Sequence, residues 1–303
     1  SQTVVEATRK MRVSFGSFAA AAGSDRTDLS LTLLDVGEGD CNIIRFPDGR
    51  LWVLDAGGLR GTSFSLASSD VFDIGEAVVS RYLWTGWGAH PDLVILSHTD
   101  IDHAGGIAAL LRNFRIRSLE YPKCIPDAFL NGLLETAKSR GTNAKPIFKG
   151  RTEEIGAVRL RVLHPPEIPV KPSTNDSSLV IRMSYKRFSA ILTGDLGIKG
   201  EAALLSYDGI LSSHLLKVAH HGSASGTSSA FLDAVNPRWA FLSSGRNNSF
   251  GHPSPVVLSR LQSHGTGVFQ TAKEGALTFR TDGIRYEIHS HINGVLEKGE
   301  LPE

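Results

Sequence analysis

The sequence predicts a mixed α/β (α+β) protein built on two sheets, each covered by helices on its outer face. Three observations carry that prediction. Strand-like runs come first, β-α-β units come after them, and the second half repeats the plan of the first. The opening runs 29–36, 41–46 and 51–55 are short, apolar or alternating, and bounded by turn residues such as Pro47-Asp48-Gly49. A helix is expected over 74–83, where Ala77, Val78, Tyr82 and Leu83 recur at helical spacing. Residues 93–96 are a fully apolar strand, and 105–114 read as a helix. In the second half, 158–163 alternates, and 179–183 and 190–193 are strands. A helix at 200–205, a strand at 215–219, a helix at 229–235 and a strand at 240–242 come next. Ser254 as N-cap and Pro255 at the first helical position start a helix over 255–263. Strands at 268–271, 277–280 and 285–288 close the chain. The stretch 113–152 is the least regular and reads as a peripheral insertion. Residues 1–28 read as a leader or linker, 29–290 as one domain, and 291–303 as a C-terminal tail.

Composition narrows the function classes. Of 303 residues, 41% are hydrophobic and 21% charged, which excludes a disordered, collagen-like or coiled-coil chain. Lys plus Arg number 32 against 31 Asp plus Glu, so the net charge is +1. A strong global attraction to nucleic acid or anionic membrane is therefore absent, although a local basic groove is allowed. Cys41 and Cys124 are too few for a disulfide framework. No uninterrupted apolar run approaches the length of a membrane span. The 11 histidines are unevenly spread.

The first histidine cluster comes directly after the strand at 93–96: Ser97-His98-Thr99-Asp100-Ile101-Asp102-His103-Ala104-Gly105-Gly106. It lies at the carboxyl end of a buried strand, where α/β folds place their sites. Alternate residues of an extended segment share a side, so His98 and Asp100 can reach one ion while Asp102 and His103 turn toward a second. An N-cap role for Asp102 would explain one carboxylate but not two imidazoles beside it. Thr193-Gly194-Asp195 ends another strand, and a carboxylate there can bridge two cations. The strand at 215–219 runs into His220-His221-Gly222-Ser223. Neighbouring side chains on a strand diverge, so one of His220 and His221 is expected as a ligand and the other behind it or facing substrate. Asp176, in Asn175-Asp-Ser-Ser178, offers a further carboxylate, with a polar turn as the equal alternative. His252, in Gly251-His-Pro253, faces a substrate phosphate or leaving group, or is an ordinary loop histidine. His90, His164, His214, His264, His289 and His291 have no supporting neighbours.

Taken in order, His98-x-Asp100-x-Asp102-His103, Thr-Gly-Asp195 and the pair His220/His221 resemble the metallo-β-lactamase fold superfamily. Leu34-Asp-Val-Gly-Glu-Gly-Asp40, Phe46-Pro-Asp-Gly49, Leu54-Asp-Ala-Gly57, Asn175-Asp-Ser-Ser178, Leu216-Lys-Val-Ala-His-His-Gly-Ser223 and Gly251-His-Pro253 sharpen the likeness. They resemble the branch represented by the C-terminal domain of ComEC-type competence proteins. The resemblance implies a four-layer αβ/βα sandwich, with a hydrolase domain over 29–290 and two divalent metal ions between the sheets. It also implies phosphodiester hydrolysis of DNA during uptake. Glu38 departs from the Gln usual in the opening turn. Asp100 stands where most of the superfamily has His.

The ligand set His98, Asp100, Asp102, His103, Asp176, Asp195, His220 and His221 suits Mn²⁺ or Zn²⁺, with Asp100 shifting preference toward the harder Mn²⁺. Metal lowers the pKa of a water, and the hydroxide attacks phosphorus. Asp102 is expected to orient it, and His221 and His252 are the candidates to protonate the leaving oxygen or hold phosphate. Arg246 either contacts backbone phosphates or is a solvated loop residue. Arg112, Arg115, Arg117, Lys145, Lys149 and Arg151 could form a basic surface toward DNA. A membrane-channel partner and an extracytoplasmic location are implied by the resemblance alone. The competing reading is a same-fold hydrolase of a small phosphodiester, phosphocholine ester, lactone or β-lactam. A third is a binding module without catalysis, against which the full ligand set argues.

Overall fold

The computed structural model describes residues 28–59, 72–85, 90–168, 175–207 and 210–302. The leader expected over 1–28 lies, except for Asp28, outside the described residues. In chain order the strands are β1 (Leu29–Leu33), β2 (Asn42–Arg45), β3 (Leu51–Leu54), β4 (Leu93–Ile95), β5 (Ser118–Pro122), β6 (Asn143–Ile147), β7 (Thr152–Ile155) and β8 (Val158–His164). They continue as β9 (Val180–Tyr185), β10 (Phe188–Leu192), β11 (Leu215–Lys217), β12 (Trp239–Leu242), β13 (Gly267–Gln270), β14 (Leu277–Thr281), β15 (Arg285–Ser290) and β16 (Gly294–Glu300). One sheet has nine strands in the order β16-β15-β14-β1-β2-β3-β4-β5-β6, and the other has seven in the order β13-β12-β11-β10-β9-β8-β7.

Strand periodicity builds four layers. Leu29, Leu31, Leu33, Ile44, Trp52, Leu54, Leu93 and Ile95 point from the first sheet into one buried cluster. Val158, Leu160, Leu215, Trp239 and Phe241 enter the same cluster from the second sheet. The alternate residues Ile43, Leu51, Val53, Val94 and Leu96 pack outward with Ile107, Leu110, Leu111, Leu130 and Leu133 of the covering helices. On the second sheet, Leu216, Ala240 and Leu242 pack outward with Leu204, Phe231, Leu232, Val257 and Leu261. A side-chain period of two on each strand therefore produces the helix–sheet–sheet–helix sandwich.

Several elements differ from expectation. The stretch 113–152 is a regular unit: β5, the helix Ala128–Ser139 and β6, which extend the first sheet in parallel. It is regular where irregularity was expected, and it lies at the edge of the sheet. Its signal was weak because β6 is an edge strand of mostly exposed residues and carries Pro146, tolerated only at an edge. Residues 294–300, expected as part of a tail, form β16 on the opposite edge, again with little apolar alternation. The helix expected over 105–114 is split into Ile101–Ala104 and Ile107–Asn113 around Gly105-Gly106. The helix over 74–83 begins as a π-helical stretch, Gly75–Ser80, and continues as Arg81–Thr85.

The strand pairs β3/β4 and β10/β11 are parallel. Their carboxyl ends, with the turn after β1, bring Asp40, Asp55, Ser97 to His103, Asp195 and the two histidines to one place between the sheets.

Candidate metal centre

The loop after β4 leads into the short helix Ile101–Ala104, whose N-cap is Asp100. Asp100 makes no side-chain cap bond, and Asp102 lies inside the first turn, fully buried, so neither carboxylate serves as the cap. His98, Asp102, His103, Asp195 and His221 are all within 1% of complete burial. Ligand atoms of Asp102, His103, Asp195 and His221 lie within 4.8 Å of one another. His221 Nε2 is 3.4 Å from Asp102 Oδ2 and 3.5 Å from Asp195 Oδ2. His98 Nε2 stands 3.9 Å from both Asp195 Oδ2 and Asp100 Oδ2, and His220 Nε2 is 3.8 Å from Asp195 Oδ2. The other Asp195 oxygen, Oδ1, is 3.0 Å from His103 Nε2. Asp195 thus faces His103 with one oxygen and His98, His220 and His221 with the other, so both oxygens are turned toward imidazoles.

The histidine pair does not continue the strand before it. His220 (φ 49°) and His221 (φ 53°) both adopt the left-handed conformation, so strand alternation does not apply to them. Both rings reach Asp195, His221 from inside the cage and His220 from its rim. Two consecutive non-glycine residues in this region store roughly 1–3 kcal/mol each, strain of the kind that collects at functional sites.

A second layer fixes the ring orientations. His103 Nδ1 donates to Asp55 Oδ2 (2.9 Å). Ser97 donates to both Asp55 oxygens, from its amide at 2.7 Å and its hydroxyl at 2.6 Å. With its proton committed, Ser97 Oγ accepts from His98 Nδ1 at 3.0 Å. His221 Nδ1 donates to the Ser243 carbonyl at 3.2 Å. All three Nδ1 atoms therefore carry a proton, and all three Nε2 atoms are directed into the cage, where a lone pair is free for a cation once any second proton has left. Behind them Lys217, fully buried, contacts Asp40 and donates to the Gly194 carbonyl (3.2 Å). The Asp40 carboxylate lies 3.6 Å from His221 Nδ1 and 3.8 Å from His103 Nδ1. Gly39 permits this approach: a Cβ there would sit 2.3 Å from the Asp102 carbonyl oxygen.

The electrostatics are those of an anionic cage. Burial opposes charge on His103 and His221, but Asp195 and Asp40 outweigh it and push both pKa values up. Burial would raise Asp195; the charges of His103 and His221 outweigh it and hold its pKa well down. Burial, reinforced by His103, pushes His98 down to about 3. Burial pushes Asp40 up even beside Lys217. The residues fit divalent cations. The Nε2 atoms of His98, His103 and His221 and both Asp195 oxygens are buried with no hydrogen-bond partner among the described residues. The 3.0 Å approach of His103 to Asp195 is not directed as a hydrogen bond. Two donors each about 2.1 Å from one ion sit roughly 3.0 Å apart along an octahedral edge and roughly 3.4 Å apart along a tetrahedral one. The cage spacings lie in and just above that range.

The sequence profile of the metallo-beta-lactamase superfamily matches residues 34–246. The chain belongs to that superfamily. Like other members of this metallo-hydrolase fold, it has a site suited to divalent metal ions, and its activity class is metal-dependent hydrolysis. It is 32% identical over 82% of its length to ComE operon protein 3 of Bacillus subtilis, covering 32% of that protein. It is 30% identical over 83% of its length to Competence protein ComA of Neisseria gonorrhoeae, again covering 32% of the relative. Recombination protein 2 of Haemophilus influenzae is 30% identical over 84% of the chain and is covered to 29%. The expected kinship with ComEC-type competence proteins is therefore met, and the chain spans about a third of the length of these relatives. Among solved structures, the metallo-beta-lactamase fold protein YhfI from Bacillus subtilis superposes with a TM-score of 0.53 at 13% identity. That match covers 84% of this chain and all of YhfI, and it shows the shared fold.

Of the residues singled out in the sequence, the metallo-hydrolase site brings together His98, Asp100, Asp102, His103, Asp195, His220 and His221. His252 joins them at the rim, with ring centroids 5.7 Å from His220 and 6.2 Å from His221. Asp176 is not brought in. Its Oδ1 lies against Gly197, 2.5 Å from where a Cβ would stand, and the turn reading fits it. Its neighbour Asn175 bonds the His220 ring instead (3.0 Å). Arg246 donates to the Ala272 carbonyl at 2.7 Å. In the supposed basic surface, Arg112 pairs with Asp73, and Lys145 and Arg151 pair with Glu120. Lys149 lies over the Tyr207 ring at 3.6 Å. Sequence reasoning assigned no site role to Asp40, Asp55, Ser97, Lys217 or Ser243. Asp40 and Asp55 carried a signal it could have used: each, like Asp195, is an acidic residue near a strand end with glycine close by.

Proposed function

We propose that this superfamily member is a phosphodiesterase that cleaves DNA, using two divalent cations of the Mn²⁺ or Zn²⁺ type. The carboxylate-rich cage carries the reading: Asp100, Asp102 and Asp195 provide an anionic surround that suits cations working on a charged phosphodiester. Kinship to proteins named for competence supports DNA as the substrate. His98, Asp100 and Asp195, with His220 at the rim, would hold one cation, and Asp102, His103, His221 and Asp195 the other. Bound there, the cations would supply water activation and neutralise phosphate charge. The chain's own groups do the rest. Asp55, Ser97 and Ser243 keep the imidazoles aimed, Asp102 orients the attacking water, and Asp195 ties the two halves of the site together. His221 spends its Nε2 inside the cage, so contact with the leaving oxygen or phosphate falls to His252 at the mouth. A membrane channel as partner, and with it an extracytoplasmic site of action, belongs to the same reading. No helix among the described residues is long and apolar enough to cross a membrane.

The near-neutral charge and the paired basic residues favour, as a second reading, hydrolysis of a small phosphodiester or lactone by the same cage. One experiment separates them. Metal-stripped protein is given Mn²⁺, Zn²⁺ or Mg²⁺ with linear and circular DNA, beside Asp195→Ala. Metal-dependent cleavage lost in the variant is the expected result, and nicking of circles would add endonuclease action. Binding of two ions without DNA cleavage under any metal would overturn the DNA reading and leave the small-substrate one.

A further inference from the structure

At the mouth of the cage two segments far apart in sequence meet around one imidazole. His252 Nδ1 lies 2.6 Å from Glu38 Oε1. The second Glu38 oxygen accepts from the Gly245 amide at 2.8 Å. Asn248 closes the ring of contacts: its Oδ1 accepts from the His252 amide (2.9 Å), and its Nδ2 donates to the His252 carbonyl (2.5 Å) and the Gly245 carbonyl (2.9 Å). Backbone and side chain of His252 are thus held independently. The Glu38 and His252 side chains are each only 15% exposed, so this pair is shielded from the solvent exchange that weakens surface contacts. Gly245 makes the close approach possible, since a Cβ there would stand 3.1 Å from the Glu38 amide nitrogen.

We propose that Glu38 is a positioning residue that fixes the tautomer and orientation of His252 at the mouth of the metal cage. A carboxylate only accepts, so Nδ1 must carry the proton in the Glu38 contact, and Nε2 is the atom left facing the mouth, where it accepts from a water or hydroxyl in the neutral ring and donates to a substrate oxygen once it has taken up a proton. The His252 ring stands beside both His220 and His221, so an oxygen held against it is next to the bridging carboxylate. Asp55 does the same for His103 inside the cage, where Nε2 is left for a cation. Glu38 does it outside, where Nε2 is left for substrate. The orientation stands independently of what is hydrolysed; its contribution to turnover rests on the phosphodiesterase reading.

The test has two arms. In the first, ¹⁵N-histidine spectra of the zinc-loaded protein give the tautomer of His252, assigned by the signal lost in His252→Gln. Wild type is expected in the Nδ1–H form, Glu38→Ala in a mixture, and Glu38→Gln, whose amide oxygen still accepts, close to wild type. An Nε2–H tautomer in wild type would overturn the proposal whatever the substrate. In the second arm, kcat on DNA is measured at equal metal content. Glu38→Ala is expected to lose about 10²-fold, within the range of a lost acid–base contact, with KM little changed. Glu38→Gln should recover most of it. The double variant Glu38→Ala/His252→Gln should be no slower than His252→Gln alone, because one residue acts through the other. Additive losses, or loss of metal in Glu38→Ala, overturn the positioning role. The expected tautomer with no cleavage of any phosphodiester would instead overturn the activity assigned above and leave the orientation intact.

Discussion

At the scale of single residues, the cage is a competition between protons and cations for the same lone pairs. His103 and His221 are pushed above the ordinary histidine range because Asp195 and Asp40 outweigh burial. In metal-free protein they hold their protons to higher pH than a free imidazole, yet metal ligands must be neutral. Metal loading is therefore expected to release protons and to weaken steadily as pH falls. Calorimetric titration in buffers of different ionisation enthalpy reads this directly, and an unchanged heat across buffers at about pH 7 would contradict it. The linkage has a sign for stability as well. A raised histidine pKa stabilises the folded metal-free protein below its unfolded value of about 6.5, and that contribution is lost as pH rises through the folded value. Asp195, held low, contributes the opposite way: its stabilisation is present above the ordinary carboxylate range and lost as pH falls through its depressed value. Metal-loaded protein escapes the alkaline loss because cations replace the histidine protons.

At the scale of elements, the site is made by the ends of strands and by the segments that leave them. β4, β10 and β11 are buried and mostly apolar, and each stops within two residues of a polar ligand segment. The segment after β11 is the unusual one, with two left-handed histidines in succession. Glycine takes that conformation without strain. His220→Gly, which removes only the rim ring, is therefore expected to stabilise the metal-free protein by up to about 1 kcal/mol. It should also weaken loading of the cation that we assign to His98, Asp100 and Asp195. Chemical denaturation and metal titration on the same variant check both halves. A variant less stable than wild type without metal would show that the histidine ring contributes more to the fold than its backbone costs.

At the scale of the whole molecule, the two sheets are joined by a shared apolar core and by a polar axis behind the site. Asp40 lies in the turn after β1 of one sheet, Lys217 ends β11 of the other, and both are fully buried. Removing either takes from the other its nearest opposite charge. Lys217→Met is expected to cost roughly 3–5 kcal/mol, the range for breaking a buried pair from one side. Replacing both, Lys217→Met with Asp40→Asn, should cost less than the single change, since neither member of the pair is left charged without the other. Urea unfolding of the three proteins decides it. Equal losses in single and double variants would mean that the pair is held by packing alone.

The layers and the chemistry of the ligands were already written in the residue order. Leu29, Leu31 and Leu33 alternate because one face of β1 must be buried, and that pattern is local. His98, Asp100, Asp102 and His103 are legible because their spacing on one short segment already places donors together. Glycine-linked strand ends marked Asp195 and the histidine pair. The rest came from the folded chain, because it depends on contacts between residues far apart in sequence. Ser97 and Asp55 are 42 positions apart, Glu38 and His252 are 214, and no local period links either pair. The edge strands β6 and β16 escaped for a related reason: half-exposed strands carry no apolar signature, and their pairing partners alone make them strands. Besides Asp195, Asp176 was a further candidate carboxylate in the sequence, with a polar turn as its equal alternative. The fold turned one carboxylate toward the imidazoles and laid the other against Gly197, a choice set by where their segments pass through space and not by the residues beside them.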